Sequence, residues 1–393
     1  MNRLRVLHLG KFYPPTRGGM ETVLEAICRG EQDAVRTSAL VTNREKRTVH
    51  HVVDGVSVTR LRSSLAIGSV AIVPTLPISL ARAQTDVIVL HEPNPMALLA
   101  YFVTRPKAPL VVWYHSQVMR PRWRYRLFYE PLLEFALRRA VRVVVASPPM
   151  RDAPALASHR AKCVVIPYGL DPDRYQPAAA VRTRVDVLRQ RFREPVLLFI
   201  GRLVPYKGVD VLLRALPGLA AQVVIVGDGP LRDPLKTMAG EVRVGDRVHF
   251  VGEVSDDERL AWLHACDALV LPSVTRQEAF GVVQLEAMLC GRPVVTTDVP
   301  TGAPWVTVHE QTGLVVAAGD AASLHGALHR LVTDVALREQ MGRAGRARAR
   351  ETFALHGMRT GLLALYQEVM KAAASPTSEG HADAVAAPAG TAL

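Results

Sequence analysis

The chain has 393 residues, of which 49% are hydrophobic and 21% charged, a composition typical of a globular protein. This length exceeds what one hydrophobic core usually supports, so two domains are expected. No apolar run approaches the roughly 18 residues of a transmembrane helix, and the N-terminus lacks the features of a secretory signal. The four cysteines are scattered without CxxC spacing, which indicates neither a zinc site nor a disulfide framework. A reducing cytoplasm is the expected compartment.

The positive charge is divided unequally along the chain. The net charge is +12, and residues 1–178 contain 25 Lys and Arg against 13 Asp and Glu, whereas residues 179–393 contain 23 of each. The whole excess therefore lies in the first half. This asymmetry predicts an anionic partner for one domain, either nucleic acid or an acidic membrane surface. A basic surface that serves only solubility is the alternative.

Short runs rich in Val, Leu and Ile alternate with helical segments in both halves. In the first half the runs are RVLHLG, DVIVLHEP, PLVVWYH, RVVVAS and KCVVIPYG, and in the second half PVLLFIG, QVVIVGDG, RVHFVGEV, ALVLPS and PVVTT. Continuous apolar strands that alternate with helices indicate parallel sheets covered on both faces. We therefore expect an α/β fold of two doubly wound domains that face a central cleft. Ligands of such sheets bind at the carboxyl ends of the strands, so the cleft is the expected site.

The same patterns predict the domain boundaries. We expect an N-terminal domain over 1–178, a linker over 179–194 and a C-terminal domain over 195–355. A C-terminal helix is predicted over 356–373, and a return of this helix to the N-terminal domain is one option. Residues 374–393 are rich in Ala, Pro, Ser and Gly without periodicity, which predicts a disordered tail.

Two glutamates, Glu278 and Glu286, lie eight positions apart in the apolar stretch EAFGVVQLE. The preceding run ALVLPS is a predicted strand that ends at Ser273. The following run VVQLEAMLCGRP is a predicted helix with Gly291 as its C-cap. Glu278 is therefore expected in the strand-to-helix loop, and Glu286 in the helix, about two turns past Glu278.

The start of this helix is a candidate anion site. Gly281 permits close approach of the backbone to a ligand, and the amides of Gly281, Val282 and Val283 lie at the helix N-terminus. Carboxylates on either side of such a site would bind hydroxyl groups that flank a diphosphate. The alternative is that Glu286 is a solvated helix residue and Glu278 only interacts with the helix dipole.

Two cations follow another predicted strand of the same domain. In FIGRLVPYKGVD, Arg202 and Lys207 lie five residues apart around Pro205. An arginine fork and a lysine point charge together can neutralise a diphosphate leaving group without a metal ion. Taken alone, the two residues would be ordinary surface cations.

Basic and aromatic side chains, including Phe128 and Tyr129, interleave between residues 119 and 142. This composition suits adsorption to an anionic bilayer. Two alternatives are single-stranded nucleic acid, bound by stacking and charge, and an ordinary helix with i,i+4 ion pairs. The expected acceptor or membrane contacts are Arg120, Arg122, Trp123, Arg124 and Arg126.

Three further features need an interpretation. The DxD form of Asp171 and Asp173 occurs in divalent-metal sites, but its place after a strand favours a loop cap. The turn VGDGP over 226–230 is expected beside a nucleotide, near the base. His91, at the end of a predicted strand, either lines an acceptor cleft or is a structural turn histidine.

Several motifs together resemble the retaining glycosyltransferases of family 4, which have the GT-B fold of two Rossmann-like domains. The matching stretches are FYPPTRGGMETVLEAI, VVWYHSQVMR, IPYGLDP, GRLVPYKG and EAFGVVQLE, which cover almost the whole chain. Within the family, the sequence is most similar to bacterial enzymes that add mannose, rhamnose or related sugars to lipopolysaccharide or exopolysaccharide precursors.

The resemblance implies a role for each matched residue. Arg202 and Lys207 would hold the donor diphosphate, and Glu286 the ribose hydroxyls. Glu278 and His115 would contact the transferred sugar, with His115 also facing the acceptor. The remaining donor-binding positions are Gly18, Gly19, Phe280, Gly281, Val282 and Val283. Ala279 departs from the family pattern, because many relatives carry Gly there, and Val283 and Gln284 replace a Leu-Pro pair of other branches.

The resemblance also implies the reaction: transfer of a hexose with retention, commonly explained by front-face attack in which the departing phosphate helps deprotonate the acceptor. GDP-mannose is the preferred donor, on resemblance only. The expected partners are a glycolipid or polyprenyl-linked acceptor and the anionic inner face of the cell membrane, without nucleic acid, metal or other cofactor. Glu278→Ala or Lys207→Ala should abolish transfer while folding survives. The alternatives are a nucleotide-sugar epimerase on the same architecture and a nucleic-acid-binding protein that uses the 119–142 patch.

Overall fold

The computed structural model describes most of the chain. The described ranges are 3–16, 18–30, 35–45, 47–67, 70–117 and 125–374. Within them, the strands form two large sheets and one short hairpin, with helices on both sheet faces. None of the helices in these ranges combines the length and the apolar content that a membrane crossing requires.

The N-terminal sheet has eight strands. They are β1 (Leu4–Leu9), β2 (Val35–Asn43), β3 (Val49–Val53), β4 (Val56–Arg62), β7 (Val87–Glu92), β8 (Leu110–Tyr114), β9 (Ala140–Val145) and β10 (Cys163–Val165), and the separate hairpin comprises β5 (Leu65–Ile67) and β6 (Val70–Ile72). Their order in the sheet is β10-β9-β8-β7-β1-β2-β4-β3, and only β3 runs antiparallel to its neighbour. The α-helices of this half are Gly19–Gly30, Leu76–Arg82, Pro95–Thr104 and Glu130–Arg139, the last preceded by a π-helical turn, Tyr125–Tyr129.

The C-terminal sheet has six strands, all parallel. They are β11 (Val196–Ile200), β12 (Gln222–Val226), β13 (Val248–Gly252), β14 (Ala268–Leu271), β15 (Val294–Thr297) and β16 (Gly313–Val316), in the order β13-β12-β11-β14-β15-β16. The α-helices of this half are Ala179–Arg191, Val209–Ala215, Arg232–Glu241, Asp256–Ala265, Val282–Leu289, Ala303–Val306, Ala321–Thr333, Val335–Thr352 and Leu355–Ala374. The predicted α/β fold of two doubly wound domains is confirmed.

Every one of the ten expected apolar runs contains a strand, because strands buried on both faces read as continuous Val, Ile and Leu. All residues of β7 and β8, for example, are buried. The apolar pattern of the sequence did not predict β2, β3, β4, the hairpin or β16. The turn between β3 and β4 did carry a signal, because Asp54 and Gly55 both have positive φ (50° and 80°) and an Asp-Gly pair favours a tight hairpin turn.

The two domains share a continuous hydrophobic core. Phe280 of the C-terminal domain contacts Tyr168 of the N-terminal domain with ring centroids 4.7 Å apart, and it also contacts Trp305 and Phe353. The helix Leu355–Ala374 packs on the N-terminal domain, against β7, β9 and the helix Gly19–Gly30.

The segment between the domains is itself helical. Residues Ala179–Arg191 form a helix that packs against the helix Asp256–Ala265 of the C-terminal domain, so most of the expected linker is a packed element. The expected disordered tail, apart from Ala374, lies outside the described residues.

Candidate active site

The helix Val282–Leu289 carries Glu286 and directly follows the loop that carries Glu278. Gly281 caps its N-terminus with φ of 72°, a left-handed conformation that suits glycine. At the other end, Gly291 has φ of 70°, and its amide and that of Arg292 donate to the carbonyls of Met288 and Ala287. This Schellman pattern ends the helix one residue before the predicted cap. Glu286 therefore lies in the second turn of the helix, and its predicted place in this helix is confirmed.

Glu278 lies in the loop between β14 and this helix, and it is buried, with 6% of its surface exposed. Its Oε2 accepts hydrogen bonds from Lys207 Nζ at 2.5 Å and from Ser273 Oγ at 2.8 Å. The hydroxyl of Thr301 donates to the backbone carbonyl of Glu278 at 2.6 Å. Lys207 and Glu278 thus form a buried ion pair that joins the loops after β11 and β14. Ser273 and Thr301 were not identified from the sequence.

The charge of Lys207 is maintained by this pair. Burial opposes the charged form, but Glu278 and Tyr206 outweigh it, so the pKa of Lys207 is raised above its usual 10.5. Lys207 is held by a short 3-10 turn that ends at Gly208, which has φ of 66°. A methyl group at Gly208 would approach the Pro272 carbonyl to 2.0 Å, so only glycine brings these two loops together.

Arg202 differs from Lys207 in its surroundings. It lies in the loop after β11 and is exposed, and its guanidinium forms no ion pair with another part of the described chain. Lys207 is therefore a preorganised cation, and Arg202 is a cation that a ligand can recruit. Gly227 and Gly229 bring the neighbouring 226–230 turn onto the same loop, because a methyl group at Gly227 would lie 2.1 Å from the Gly201 carbonyl.

Glu286 has two partners that sequence reasoning missed. Arg259 pairs with its Oε2, and the Tyr175 hydroxyl lies 3.3 Å from its Oε1. The negative charge of Glu286 raises the pKa of Arg259. Each carboxylate oxygen accepts more than one hydrogen bond, so Glu286 retains capacity for ligand hydroxyls. The only sequence signal for Arg259 was its place in the helix after β13.

The other donor-binding candidates have different surroundings. The Phe280 side chain is buried in the aromatic contact with Tyr168, whereas Val282 and Val283 are half-buried at the helix start. Gln284 is fully buried, and its side chain bonds the carbonyls of Phe280 and Ala303 and the hydroxyl of Thr307. Gln284 therefore fixes the loop that carries Glu278.

The departure from the family pattern at Ala279 causes no backbone strain. Ala279 is not among the non-glycine residues with positive φ in the described ranges. Its carbonyl accepts a hydrogen bond from the Gly302 amide at 2.8 Å. Its side chain faces a cavity of about 400 Å³ that lies between the domains. The cavity has apolar, acidic and basic lining, including Tyr114, Met150, Asp152, Arg276, Asp298 and Thr301.

The glycine pair of the N-terminal domain leads into the first helix. Gly19 begins the helix, and open space surrounds the position of a side chain there. A methyl group at Gly18 would lie 2.2 Å from Oε2 of Glu21. Glu21 is buried, and this burial raises the pKa of its carboxyl group. A small cavity beside Glu21 also contacts Lys11, His91 and His115.

His115 belongs to a buried chain of rings. Its Nε2 lies 2.8 Å from Nδ1 of His91, whose Nε2 lies 2.9 Å from Nδ1 of His8. Nδ1 of His115 lies 2.5 Å from the Tyr168 hydroxyl. Burial lowers the pKa of His115 to about 3 and that of His91 well below 6.5, with His115 and His8 adding to the effect on His91. His8 and Tyr168 were not identified from the sequence.

The predicted membrane patch is only partly described. Arg120, Arg122, Trp123 and Arg124 lie outside the described residues, and Arg126 is exposed. The grouping of Tyr129 with interfacial aromatics was wrong. Its ring is buried, and its hydroxyl donates to Glu92 at 2.5 Å, because the π-helical turn directs this residue into the core.

The DxD motif acts as a cap. The side chain of Asp171 accepts a hydrogen bond from the Asp173 amide at the start of the turn Pro172–Tyr175, in agreement with the loop-cap interpretation.

Comparisons with known proteins agree on the class of enzyme. Residues 17–174 match the family described as Glycosyltransferase Family 4, and residues 185–348 match Glycosyl transferases group 1. The D-rhamnosyltransferase WbpZ of Pseudomonas aeruginosa is 34% identical over 89% of this chain and 92% of its own length. The O-antigen chain mannosyltransferase C of Escherichia coli is 29% identical over 94% of this chain and 99% of its own length.

A solved structure supports the same architecture. The sucrose-phosphate synthase of Thermosynechococcus elongatus superposes with a TM-score of 0.77 at 22% identity, over 94% of this chain and 100% of that one. The GT-B arrangement of two Rossmann-like domains is thereby confirmed. Glycosyl transfer is favoured over the epimerase and nucleic-acid alternatives, and the chain belongs to the family 4 glycosyltransferases.

Proposed function

We propose that this enzyme transfers a mannosyl- or rhamnosyl-type hexose from a nucleoside-diphosphate sugar to a lipid-linked glycan of O-antigen or a related polysaccharide. The observation that carries the proposal is the buried pair of Lys207 and Glu278, which lies beside the N-terminus of the helix Val282–Leu289. A cation and a helix N-terminus bind phosphate, and a carboxylate binds sugar hydroxyls. The names of the two sequence relatives support the sugar and the pathway.

The reaction proceeds with retention and without a metal ion. Departure of the nucleoside diphosphate leaves positive charge on the anomeric carbon and negative charge on the β-phosphate. Lys207, Arg202 and the helix amides stabilise that negative charge, and a preorganised site does so without a reorganisation cost. The acceptor oxygen bonds to the anomeric carbon on the face that the phosphate leaves, and its proton passes to the departing phosphate. Glu278 is engaged with Lys207 and Ser273, which supports a binding role over attack as a nucleophile.

The donor is GDP-mannose or a GDP-linked deoxy sugar. Glu286 accepts hydrogen bonds from the ribose hydroxyls, and Arg259 and Tyr175 orient its carboxylate. The acceptor enters the cavity between the domains. Ala279, next to Glu278, forms part of the cavity wall, which supports close approach of acceptor and transferred sugar.

The enzyme acts at the inner face of the cell membrane. Exposed apolar side chains lie on neighbouring elements of the N-terminal domain, among them Phe102, Val103, Leu127 and Phe128, of which Val103, Leu127 and Phe128 are more than 60% exposed. Arg105 stacks over Phe102 with its guanidinium 5.5 Å from the ring centroid. Further exposed cations on the same elements are Arg126, Arg138 and Arg139. Apolar and cationic side chains together favour an anionic bilayer surface.

Membrane contact predicts a specific loss. Val103→Asp combined with Phe128→Asp should weaken binding to vesicles of 7:3 phosphatidylcholine and phosphatidylglycerol, measured by sedimentation, by about thirtyfold, because carboxylates at an interface oppose anionic lipid at roughly 1 kcal/mol each. Val335→Asp is the matched control, since Val335 is 55% exposed in the C-terminal domain. Equal loss of binding in the control, or none in the double variant, would exclude this surface.

The experiment that tests the function is a transfer assay with a donor panel. Purified enzyme is mixed with GDP-, UDP- and dTDP-sugars, a polyprenyl-diphosphate-linked glycan and EDTA, and the product linkage is read by NMR. We expect a GDP-sugar to yield an axial product of retained configuration. Inversion, a requirement for added metal, or free epimer without acceptor would each contradict the proposal.

A further inference from the structure

Three histidines lie side by side at the carboxyl ends of three adjacent strands of the N-terminal sheet. His8 lies in β1, His91 in β7 and His115 directly after β8, and these three strands are neighbours in the sheet. All three rings are buried, with exposed fractions of 0%, 5% and 3%. The ring nitrogens lie 2.8 to 2.9 Å apart, so the histidines form consecutive hydrogen bonds. Trp113 stacks on both His91 and His115, which fixes the ring planes.

A chain of neutral imidazoles has a single direction. Each neutral ring carries one proton, so it donates through one nitrogen and accepts through the other. If one ring were reversed, two N–H groups or two lone pairs would face each other. The tautomer of one ring therefore determines the tautomers of the others.

Tyr168 determines the direction in which the hydrogen bonds of this chain run from donor to acceptor. Its ring is buried, burial raises its pKa, and the hydroxyl therefore keeps its proton. Within the described ranges, the hydroxyl has one hydrogen-bond partner, Nδ1 of His115 at 2.5 Å. A buried hydroxyl donates to the acceptor that it has. Nδ1 of His115 is then the acceptor, His115 Nε2–H donates to His91, and His91 Nε2–H donates to His8.

This arrangement lies at the cleft. His91 and His115 line the small cavity beside Lys11 and Glu21, and Tyr168 contacts Phe280 of the motif that carries Glu278. Both nitrogens of His115 have internal partners. A ligand that hydrogen-bonds His115 must therefore replace either Tyr168 or His91.

We propose that His91 is a positioning residue that holds His115 as the Nε2–H tautomer, so that Nδ1 of His115 accepts a hydrogen bond from a substrate hydroxyl in place of Tyr168. The inference rests on the proposed function, because it assigns His115 to the substrate side of the cleft. It goes beyond that function in naming His8, His91 and Tyr168 as one unit, and in stating the chemical role of His115 as an acceptor.

The test combines a spectroscopic and a kinetic readout on the full chain. In histidine-selective ¹⁵N NMR, His91 and His115 should each show a protonated Nε2 and an unprotonated Nδ1. His91→Phe keeps an aromatic ring between its neighbours but removes the acceptor for His115 Nε2–H. We expect the Nδ1–H form of His115 to appear, and kcat to fall about tenfold to a hundredfold, a loss comparable to that found when the partner that orients a metal-binding histidine is removed. The donor KM should change less than about threefold, because the proposal assigns the donor diphosphate to Lys207 and Arg202 and not to His91.

His249→Phe is the matched control. His249 bonds the Gln222 side chain at 2.7 Å on the edge strand β13, so the variant loses one histidine hydrogen bond without touching the chain. A wild-type Nδ1–H form of His115 would overturn the proposal, as would unchanged kcat in His91→Phe with an altered tautomer. The NMR measurement needs no catalytic turnover. The tautomer of His115 can therefore be determined even if the proposed transfer activity is not found.

Discussion

Lys207→Ala is expected to lower kcat/KM by about 10²–10³-fold, the usual loss when one preorganised electrostatic contact to a transition state is removed. The reason is that Lys207 is the cation already fixed at the predicted diphosphate site, through its 2.5 Å contact with Glu278. A competing role in ground-state binding alone would raise the donor KM and leave kcat unchanged. Initial rates over a range of donor concentrations separate the two.

The control for this variant is Lys236→Ala. Lys236 is an exposed lysine of the same domain, in the helix Arg232–Glu241, so its removal changes net charge equally. Activity of Lys236→Ala should stay within twofold of the unmodified enzyme. Comparable losses in both variants would mean that net charge, and not the diphosphate site, explains the effect.

The second large effect concerns folding. Glu278→Ala leaves Lys207 as an uncompensated buried cation, and such a break costs about 3–5 kcal/mol in the free energy of unfolding. Both partners are buried, with side chains only 12% and 8% exposed, so we expect each single variant to fold with a clearly lower free energy of unfolding. Urea unfolding followed by circular dichroism measures this loss.

The double variant separates stability from catalysis. Lys207→Met with Glu278→Leu removes both charges and fills the space with apolar groups, so its free energy of unfolding should recover most of the loss seen in Glu278→Ala. Its transfer activity should remain absent, since neither phosphate nor sugar contact is restored. Recovered activity in the double variant would show that the pair serves only the fold.

The sequence predicted best those strands that are buried on both faces of a sheet. β7, β8, β11 and β14 have continuous apolar sequences, since helices cover both faces of these strands. β2 escaped prediction because polar residues interrupt its apolar sequence, as in VRTSALVTN. β16 escaped because it has only four residues, one of which is glycine.

The sequence predicted where each site residue lies in its own loop or helix, but not which residues distant in sequence contact it. The loop position of Glu278 and the helix position of Glu286 followed from the strand, glycine and helix pattern. Arg259 and Tyr175 are distant from Glu286 in sequence, and only the packing of their elements brings them to its carboxylate. The histidine chain depends in the same way on the strand order β8-β7-β1, which one sequence does not reveal.

The central claim is that protein cations neutralise the donor diphosphate while carboxylates bind the sugars at both ends. A crystal structure of the enzyme grown with GDP and EDTA tests it most directly. We expect the diphosphate within hydrogen-bond distance of Lys207 and Arg202, at the N-terminus of the helix Val282–Leu289, with the ribose on Glu286. Diphosphate bound elsewhere, or both cations directed away from it, would contradict the account.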